Sequence, residues 1–232
     1  MCGRYTLATP SPADIRARFP VGESVAIARR YNIAPGDEVL AVTTDREGAP
    51  RGELLRWGLV PAWAPTPQLA LKMINARVET VASRPAFRTA FERYRCLIIA
   101  DGFYEWQEVL GRPKQAFHIT RADQAPFAFA GLWSLWGPPE GPRLRTCTIL
   151  TTSANAAVRP LHDRMPVILK SEQEAAWLHR TTPPNALRNL LAGLTADETA
   201  LTPVGPAVND ARYDGPECLA PPHSEQPALF YS

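Results

Sequence analysis

The sequence has little lysine, little histidine and no closely spaced pair of cysteines. Only three of its 25 basic residues are lysine, and only four residues are histidine. The scattered cysteines form no Cys-x-x-Cys pair, which excludes a zinc ribbon and a thioredoxin-type motif. The sequence also lacks paired metal-ligand spacings, a glycine-rich phosphate loop, a nucleophile elbow and a dinucleotide fingerprint. We therefore expect no metal site and no cofactor.

The start of the chain lacks the signals that direct a protein to a membrane or out of the cell. Its first ten residues contain no basic segment followed by an apolar run. No apolar stretch of about 18 residues occurs, so no membrane span is predicted. We therefore expect a cytoplasmic protein in a reducing setting, with its cysteines as free thiols.

The composition is that of an ordinary folded protein. The 232 residues are 45% hydrophobic and 21% charged, with a net charge of +2, which is sufficient for a core without disulfides. No shift in composition marks an internal boundary, so residues 2–220 are predicted to form one domain and residues 221–232 a Pro-rich, loose tail. The excess of arginine over lysine suits bidentate phosphate binding, although a GC-rich genome explains the same bias equally well.

Proline is frequent, with 24 residues, and breaks the chain into short elements. Ser11 followed by Pro12 and Asp14 is typical of a capped helix start. Short apolar runs bounded by Gly or Pro outnumber helical patterns, which predicts an α+β fold with mainly antiparallel strands. The predicted strands are 39–43, 54–57, 96–100, 103–109, 115–120, 127–133, 146–152 and 167–169. Further helices are predicted at 84–94, 172–178 and 185–191.

Cys2 is notable for its position, because the initiator methionine is usually removed before a small residue. Removal of Met1 would leave an α-amine beside the Cys2 thiol, an arrangement that no internal cysteine offers. The amine titrates near ~7.7–8.0 and the thiol near ~8.5, so both have accessible nucleophilic forms near neutrality. The alternative is a buried cysteine that acts as a small apolar residue.

Two further segments place an ionisable group in an unusual setting. Glu105 lies between aromatic residues in a predicted strand, where loss of solvent would raise the pKa of its carboxyl toward that of a general acid or base. The alternative is that Glu105 faces solvent. His162 precedes Asp163 and Arg164, which can orient an imidazole and tune its charge, although a surface pair with Asp163 is equally compatible with the sequence.

Amide, guanidinium and indole groups supply candidate binding residues. Asn75 and Arg77 share one side of an extended segment because side chains at i and i+2 do so; they could hold a sugar oxygen and a phosphate. Trp57 and Trp63 flank a Gly/Pro turn, where exposed indoles would stack on bases and buried ones would belong to the core.

Several short motifs occur in one order along the chain. They are Met1-Cys2-Gly3-Arg4-Tyr5, Tyr31-Asn32-Ile33-Ala34-Pro35, Arg56-Trp57-Gly58-Leu59-Val60-Pro61, Asn75-Ala76-Arg77-Val78-Glu79-Thr80, Asp101-Gly102-Phe103-Tyr104-Glu105-Trp106, Ala130-Gly131-Leu132-Trp133, Thr151-Thr152-Ser153-Ala154-Asn155 and His162-Asp163-Arg164-Met165-Pro166-Val167. Together these motifs resemble the SRAP (SOS response-associated peptidase) family over residues 2 to about 220.

The resemblance implies a single domain with a barrel-like antiparallel core that forms a covalent DNA–protein crosslink at abasic sites in single-stranded DNA. It implies a thiazolidine made by the Cys2 amine and thiol, self-processing that removes Met1, and association with the nucleoid during DNA damage. We expect a monomer. The catalytic residues that it implies are Cys2, Asn75, Glu105 and His162. The DNA-binding residues that we expect are Arg4, Trp57, Trp63, Arg77 and Arg164.

Two other functions are compatible with parts of the sequence. An N-terminal nucleophile hydrolase, such as a glutamine amidotransferase domain, also begins Met-Cys-Gly and attacks an amide with its thiol. Its downstream signature cannot be placed here. A non-covalent single-stranded DNA-binding module would use arginine and tryptophan alone. A separate alternative concerns the adduct with abasic DNA: Lys72, rather than Cys2, could form an imine.

Overall fold

Two β-sheets with short helices at their margins make up the fold. The computed structural model describes residues 2–108, 110–111, 113–138 and 140–222. The strands are β1 (Tyr5–Leu7), β2 (Arg30–Ile33), β3 (Glu38–Thr44), β4 (Pro50–Trp57), β5 (Asn75–Arg77), β6 (Arg95–Ala100), β7 (Gly102–Gln107), β8 (Gln115–Arg121), β9 (Phe127–Trp136), β10 (Leu144–Ser153), β11 (Arg164–Pro166), β12 (Ile168–Leu169) and β13 (Thr199–Val204). The helices are α1 (Pro12–Arg18), α2 (Arg88–Arg93), α3 (Ser171–Leu178) and α4 (Pro184–Asn189). Short 3₁₀ helices span Pro67–Lys72, Leu190–Ala192, Pro206–Asn209 and Pro216–Leu219.

Five strands close into a barrel. β10 pairs with β4, β4 with β3, β3 with β6, β6 with β9, and β9 again with β10. Strand direction cannot alternate all the way round a ring of five, so at least one neighbouring pair must be parallel. That pair is β4 and β10, with Thr146 opposite Arg56. Closure leaves no free edge within this ring.

The barrel interior is packed too tightly for a side chain at one point. A Cβ atom on Gly131 of β9 would lie 2.8 Å from the Sγ of Cys96 and 2.9 Å from the Cδ1 of Ile98. Both neighbours are fully buried residues of β6. Glycine is therefore needed at this position of β9, where it pairs with β6 opposite Cys96.

The last part of β10 extends beyond the ring and gathers extra strands. β5 runs parallel to it, with Asn75 opposite Ile149. β11 runs antiparallel on its other side, with Arg164 opposite Ser153. This end of β10 therefore brings together chain segments that are almost 90 residues apart in sequence.

The second sheet is fully antiparallel, in the order β13-β8-β7-β1-β2. The C-terminal segment, residues 205–219, covers part of it. Tyr104, Val204, Val208 and Cys218 form a small apolar cluster there, apart from the main core. Asn32 on β2 donates from Nδ2 to the carbonyl oxygens of Asp210 (2.9 Å) and Tyr213 (2.7 Å). These bonds attach the C-terminal segment to an edge strand.

The α+β prediction with a mainly antiparallel, barrel-like core is confirmed. The predicted helix start at Ser11 is also confirmed: its Oγ accepts from the Asp14 backbone N–H (3.2 Å), and Asp14 accepts from the Ser11 N–H (2.9 Å). The four cysteines are free thiols and are buried. Among the described helices, none is both long and apolar enough to cross a bilayer.

Other boundaries differ from the predictions. The helix expected at 84–94 begins only at Arg88, because Arg84 precedes Pro85 and proline disfavours helical backbone in the preceding residue. The helix expected at 185–191 begins at Pro184 and becomes 3₁₀ after Asn189. β1, β2 and β13 were not predicted. Val109, part of the strand expected at 103–109, and residues 223–232, most of the expected tail, lie outside the described residues.

Candidate active site

Cys2 is fully buried between the two sheets. The Asn75 side chain donates from Nδ2 to the Cys2 carbonyl oxygen at 2.8 Å, and the Cys2 thiol lies 3.7 Å from the carbonyl oxygen of Arg4. Asn75 belongs to β5 on the barrel, and Cys2 leads into β1 on the second sheet. Cys2 is therefore held at the junction of the two sheets.

Pairing between β1 and β7 brings Glu105 to the same place. The Tyr104 backbone N–H donates to the Arg4 carbonyl oxygen at 3.0 Å, and Tyr5 lies opposite Phe103. Glu105 follows Tyr104 directly, next to residues 2–4. Its negative charge is close enough to raise the pKa of the Cys2 thiol.

Glu105 is buried, with only 4% of its surface exposed. Burial raises the pKa of its carboxyl to about 7, and the nearby charge of Asp163 acts in the same direction. The interpretation of Glu105 as a desolvated acid is therefore confirmed over the solvent-facing alternative. A carboxyl with this pKa can both donate and accept a proton near neutrality.

The Cys2 thiol titrates above its ordinary range. Burial raises its pKa, and the negative charge of Glu105 raises it further. The thiol is consequently neutral around pH 7, and thiolate is scarce. An α-amine at this residue would be the more available nucleophile, because its unperturbed pKa lies near ~7.7–8.0.

His162 follows the turns at residues 156–161 and lies just before β11. Its Nδ1 accepts from the Arg164 backbone N–H at 2.9 Å, which assigns the proton of the neutral ring to Nε2. The Asp163 carboxylate lies 2.8 Å from the same Nδ1 and favours the charged ring. Burial has the larger effect and lowers the pKa of His162. The imidazole is therefore a neutral base at physiological pH.

Arg164 joins three strands of the site. Its side chain is nearly buried, makes a bidentate ion pair with Glu79 (2.6 and 2.9 Å), and donates to the Thr151 carbonyl oxygen (2.5 Å). Hydrogen bonding from Arg164 lowers the pKa of Glu79. The guanidinium expected to bind DNA is thus held by protein groups and fixes the approach of β11 to the turn after β5.

The two tryptophans of the Gly/Pro turn have opposite environments. Trp57 is 1% exposed, donates from Nε1 to the Ile74 carbonyl oxygen (2.9 Å) and packs edge-to-face on Tyr5. Its indole belongs to the core and has no face open for stacking on a base, which corrects the expectation of direct contact. Trp63 is 62% exposed and does present an open indole.

Arg4 and Arg77 are the other two arginines expected at the DNA. Arg4 donates from Nη1 to the Asn32 side-chain oxygen and to the Val208 carbonyl oxygen, both at 2.9 Å. Its Nε and Nη2 have no partner within the described ranges and are available to a ligand. Arg77 is exposed on β5, opposite Thr151.

Sequence reasoning did not assign roles to Asn32 and Trp106. Asn32 orients Arg4, and Trp106 lies 6.0 Å below the Arg4 guanidinium and donates from Nε1 to the Asn209 side-chain oxygen at 2.7 Å. The signal for Trp106 was the alternation along β7, which places it on the opposite face from Glu105. No local signal pointed to Asn32, because its partners are about 180 residues away in sequence.

Thr6 on β1 belongs to a buried polar cluster with Asp101 and His118. The Thr6 hydroxyl donates to Asp101 (2.5 Å) and lies 3.0 Å from the Nε2 of His118. Burial lowers the pKa of His118 to about 4 despite the opposing charge of Asp101, so the ring is neutral. This setting gives His118 a structural role in the second sheet. The described part of the chain contains no group of three or more residues that could hold a metal ion.

The fold and the arrangement around Cys2 define a known class of protein. The family model described as "SOS response associated peptidase (SRAP)" matches residues 1–211. The chain belongs to the SRAP family.

Its relatives include proteins whose names refer to abasic sites. The chain is 40% identical over 225 residues to the "Abasic site processing protein YoaM" of Bacillus subtilis (strain 168), covering 94% of this chain and 97% of the relative. It is 32% identical over 195 residues to the "Abasic site processing protein YedK" of Escherichia coli (strain K12), covering 83% and 84% of the two chains.

Solved structures share the fold. A protein from Bacteroides thetaiotaomicron superposes with a TM-score of 0.85 at 21% identity, over 96% of this chain and all of the other. A protein from Bordetella bronchiseptica gives a TM-score of 0.75 at 27% identity, over 88% of this chain and all of the other.

Proposed function

We propose that this protein binds abasic sites in single-stranded DNA and forms a covalent thiazolidine crosslink through Cys2. One observation carries the proposal: the backbone of Cys2 is fixed by Asn75 beside Glu105, a buried carboxyl whose pKa is about 7. The abasic-site names of the relatives point to the same substrate. An abasic deoxyribose is suited to this site because its open form is an aldehyde.

Glu105 opens the sugar ring. The closed form is a hemiacetal, in which the ring oxygen must gain a proton while the C1′ hydroxyl loses one. A carboxyl with a pKa of about 7 gives up its proton to the ring oxygen and takes back the hydroxyl proton. The C1′ aldehyde forms and the carboxyl is regenerated.

The Cys2 amine then attacks C1′. The nitrogen lone pair forms the new C–N bond, the two amine protons are transferred to the carbonyl oxygen, which leaves as water, and an imine remains. The neutral thiol adds across this C=N bond, with sulfur to C1′ and its proton to nitrogen. Closure of the five-membered ring is favoured because both nucleophiles belong to one residue, and it removes the imine that would promote strand cleavage.

In this mechanism Asn75 positions Cys2, and His162 relays a proton. Asn75 holds the Cys2 carbonyl, and its buried Oδ1 has no hydrogen-bond partner within the described residues. That oxygen is an acceptor for the C1′ hydroxyl or for the attacking amine. His162, with its pKa lowered by burial, is a neutral base for the amine proton.

DNA is held by groups around the junction of the sheets. Arg4, through its Nε and Nη2, and the exposed Arg77 offer phosphates guanidinium donors that have no partner among the described residues, and Trp63 offers an exposed stacking face. Trp57 and Arg164 support this surface from within, through core packing and the Glu79 ion pair. Loss of Met1, by self-processing or by another enzyme, is required to free the amine.

The raised pKa of the Cys2 thiol favours this chemistry over thiol-first amide hydrolysis. An N-terminal nucleophile hydrolase needs a reactive thiolate, which burial and Glu105 suppress here. The imine pathway uses the amine first and the neutral thiol second.

A denaturing gel tests the proposal. Wild type incubated with abasic single-stranded DNA should give a shifted, denaturation-resistant band of the mass expected for protein plus DNA minus one water. Cys2→Ala should give none. Cys218→Ala removes another buried thiol, and Lys72→Ala removes an exposed amine; both should crosslink as wild type does.

Three results would contradict it: no band from wild type, an equal band from Cys2→Ala, or loss of the band only in Lys72→Ala. Intact mass of the purified protein decides the role of Met1. Full crosslinking by protein that retains Met1 would rule out the aminothiol.

A further inference from the structure

A second cavity lies at the opposite end of the barrel from Cys2. It has a volume of about 650 Å³ and is formed by the turn between β3 and β4, the start of β10 and Arg180, two residues after the end of α3. Arg145 lines it near the first residue of β10, whereas Thr151 belongs to the Cys2 end. Six residues of strand separate the two sites by about 20 Å, so the cavity is distinct from the candidate active site.

The floor of this cavity is aromatic. Tyr94 packs edge-to-face on Trp133 with ring centroids 5.0 Å apart, and the Trp133 backbone N–H donates to the Tyr94 carbonyl oxygen at 2.8 Å. The Arg145 guanidinium lies 4.3 Å from the Trp133 ring and covers it. Tyr94 remains 39% exposed, and its hydroxyl has no hydrogen-bond partner in the described part of the chain. The accessible aromatic surface is therefore the ring of Tyr94.

The walls of the cavity carry four guanidinium groups. Those of Arg51 and Arg145 are 3.8 and 2.6 Å from the carboxylate of Glu53. Those of Arg46 and Arg180 have no carboxylate within 4.0 Å among the residues described. Arg180 instead donates to the carbonyl oxygens of Asp45 (2.5 Å) and Arg46 (3.4 Å), which fixes its position without neutralising its charge.

Two acidic residues, Asp45 and Glu47, also line the cavity. Neither forms an ion pair with Arg46 or Arg180 among the residues described. The Asp45 carboxylate accepts from the Ala49 backbone N–H at 2.8 Å and closes the turn. Glu47 is exposed in the same turn. Among the residues described, Arg46 and Arg180 thus place two guanidinium charges without a carboxylate partner beside an exposed tyrosine ring.

We propose that this cavity binds a nucleotide unit, with the base stacked on Tyr94 and the phosphate held by Arg46 and Arg180. Guanidinium groups match the geometry of phosphate oxygens, and aromatic side chains stack on any base. The volume lies within the range of small-ligand cavities. A free nucleotide and a unit within a DNA strand share this chemistry, so the binding does not depend on the crosslinking reaction at Cys2.

Calorimetric titration with dAMP tests the site. Wild type should bind dAMP saturably, and deoxyadenosine or inorganic phosphate alone should each bind at least about tenfold more weakly, since each lacks one half of the contacts. Arg46→Gln, Arg180→Gln and Tyr94→Leu should each weaken dAMP binding by about tenfold. Cys2→Ala and Arg29→Gln should leave it unchanged; Arg29 is an exposed arginine that makes no ion pair with any described residue. Circular dichroism checks that every variant is folded.

Four outcomes would overturn the proposal. They are no saturable binding of dAMP to wild type, dAMP binding by all three cavity variants that equals that of wild type, a loss in Arg29→Gln as large as in the cavity variants, or binding of a poly-glutamate peptide as tight as that of dAMP. Loss of dAMP binding in Arg77→Gln but not in Arg180→Gln would assign the nucleotide to the Cys2 groove and also overturn it. The ligand source is decided in a Cys2→Ala background. A drop in oligonucleotide affinity on adding Arg180→Gln indicates a strand, and an effect on dAMP alone indicates a free nucleotide.

Discussion

At the scale of single residues, the proposed chemistry depends on a carboxyl group that is shielded from water. Glu105 is placed among aromatic groups and beside Cys2, so burial raises its pKa to about 7. Burial also raises the pKa of the Cys2 thiol. In the mechanism that we propose, the environment would therefore set the order in which the two nucleophiles of Cys2 act: the amine first, and the neutral thiol once an imine has formed.

The raised pKa of Glu105 makes a prediction about stability. Since the unfolded chain titrates at about 4.3, the folded protein binds this proton more tightly, and ionisation destabilises the fold as pH rises from about 4.3 through about 7. Glu105→Gln stays neutral. It should therefore raise the free energy of unfolding at pH 8 by on the order of 3 kcal/mol and change it little at pH 4. Urea unfolding at both pH values measures this, with exposed Glu108→Gln as the control.

Glu105 also makes a prediction about rate. In the proposed mechanism, ring opening needs the protonated carboxyl of Glu105, and attack on C1′ needs the uncharged Cys2 amine. Crosslinking should therefore be fastest between about pH 7 and about pH 8. Glu105→Gln should be slower by about 100-fold or more and should lose the decline on the alkaline side. Band intensity against time over a pH series gives both results; an unchanged alkaline limb in the variant would assign that limb to another group.

At the scale of elements, the C-terminal segment acts through one edge strand. Residues 205–219 are attached to β2 by Asn32, and Asp214 accepts from the backbone N–H groups of Tyr31 (2.5 Å) and Asn32 (2.8 Å). Asn32 in turn holds Arg4. The segment thereby orients a cation next to Cys2 although it lies at the other end of the sequence.

Replacement of Asn32 should therefore disturb both stability and DNA binding. Asn32→Ala leaves the carbonyl oxygens of Asp210 and Tyr213 without this donor and should lower the free energy of unfolding by about 2–4 kcal/mol. It should also reduce the salt dependence of single-stranded DNA binding by about one phosphate contact. Arg4→Gln should give the same reduction, and the double variant no more than either one. Asn189→Ala, at an exposed helix position, is the control, and additive effects of the two variants would separate Asn32 from Arg4.

At the scale of the whole molecule, a closed barrel fixes the two halves of the site. β10 belongs to the ring at its start and carries β5 and β11 at its end, so Asn75 and the His162 segment are positioned by barrel closure. The second sheet supplies Cys2 and Glu105. Loosening the ring would therefore move one half of the site against the other.

Gly131→Ala tests barrel packing. The added methyl would lie 2.8 Å from Cys96 Sγ and 2.9 Å from Ile98 Cδ1, so the free energy of unfolding should fall by about 1–3 kcal/mol. Adding Ile98→Val removes the clashing Cδ1 atom and should restore part of the loss. Gly22→Ala, which meets no atom within 4 Å, should have little effect; an equal loss there would contradict the explanation by barrel packing.

The sequence by itself determined the strong local features. Ser11 with Asp14 specified a capped helix, the apolar runs specified β6, β9 and β10, and the motifs around Cys2, Glu105 and His162 indicated the family and the candidate residues. These features are local because they depend on backbone geometry, alternation and residue type within a few positions.

Only the tertiary structure decided which groups meet. Trp57 and Trp63 are six residues apart, yet one is core and the other exposed, and Arg164 is committed to Glu79, 85 residues away. The short strands β1, β2 and β13 form only because partner strands supply their hydrogen bonds. Burial, and with it the pKa of Glu105, is a property of neighbours that the chain brings together from distant positions. The sequence therefore indicated the candidate reactive residue, and the packing of two sheets decided the environment around it.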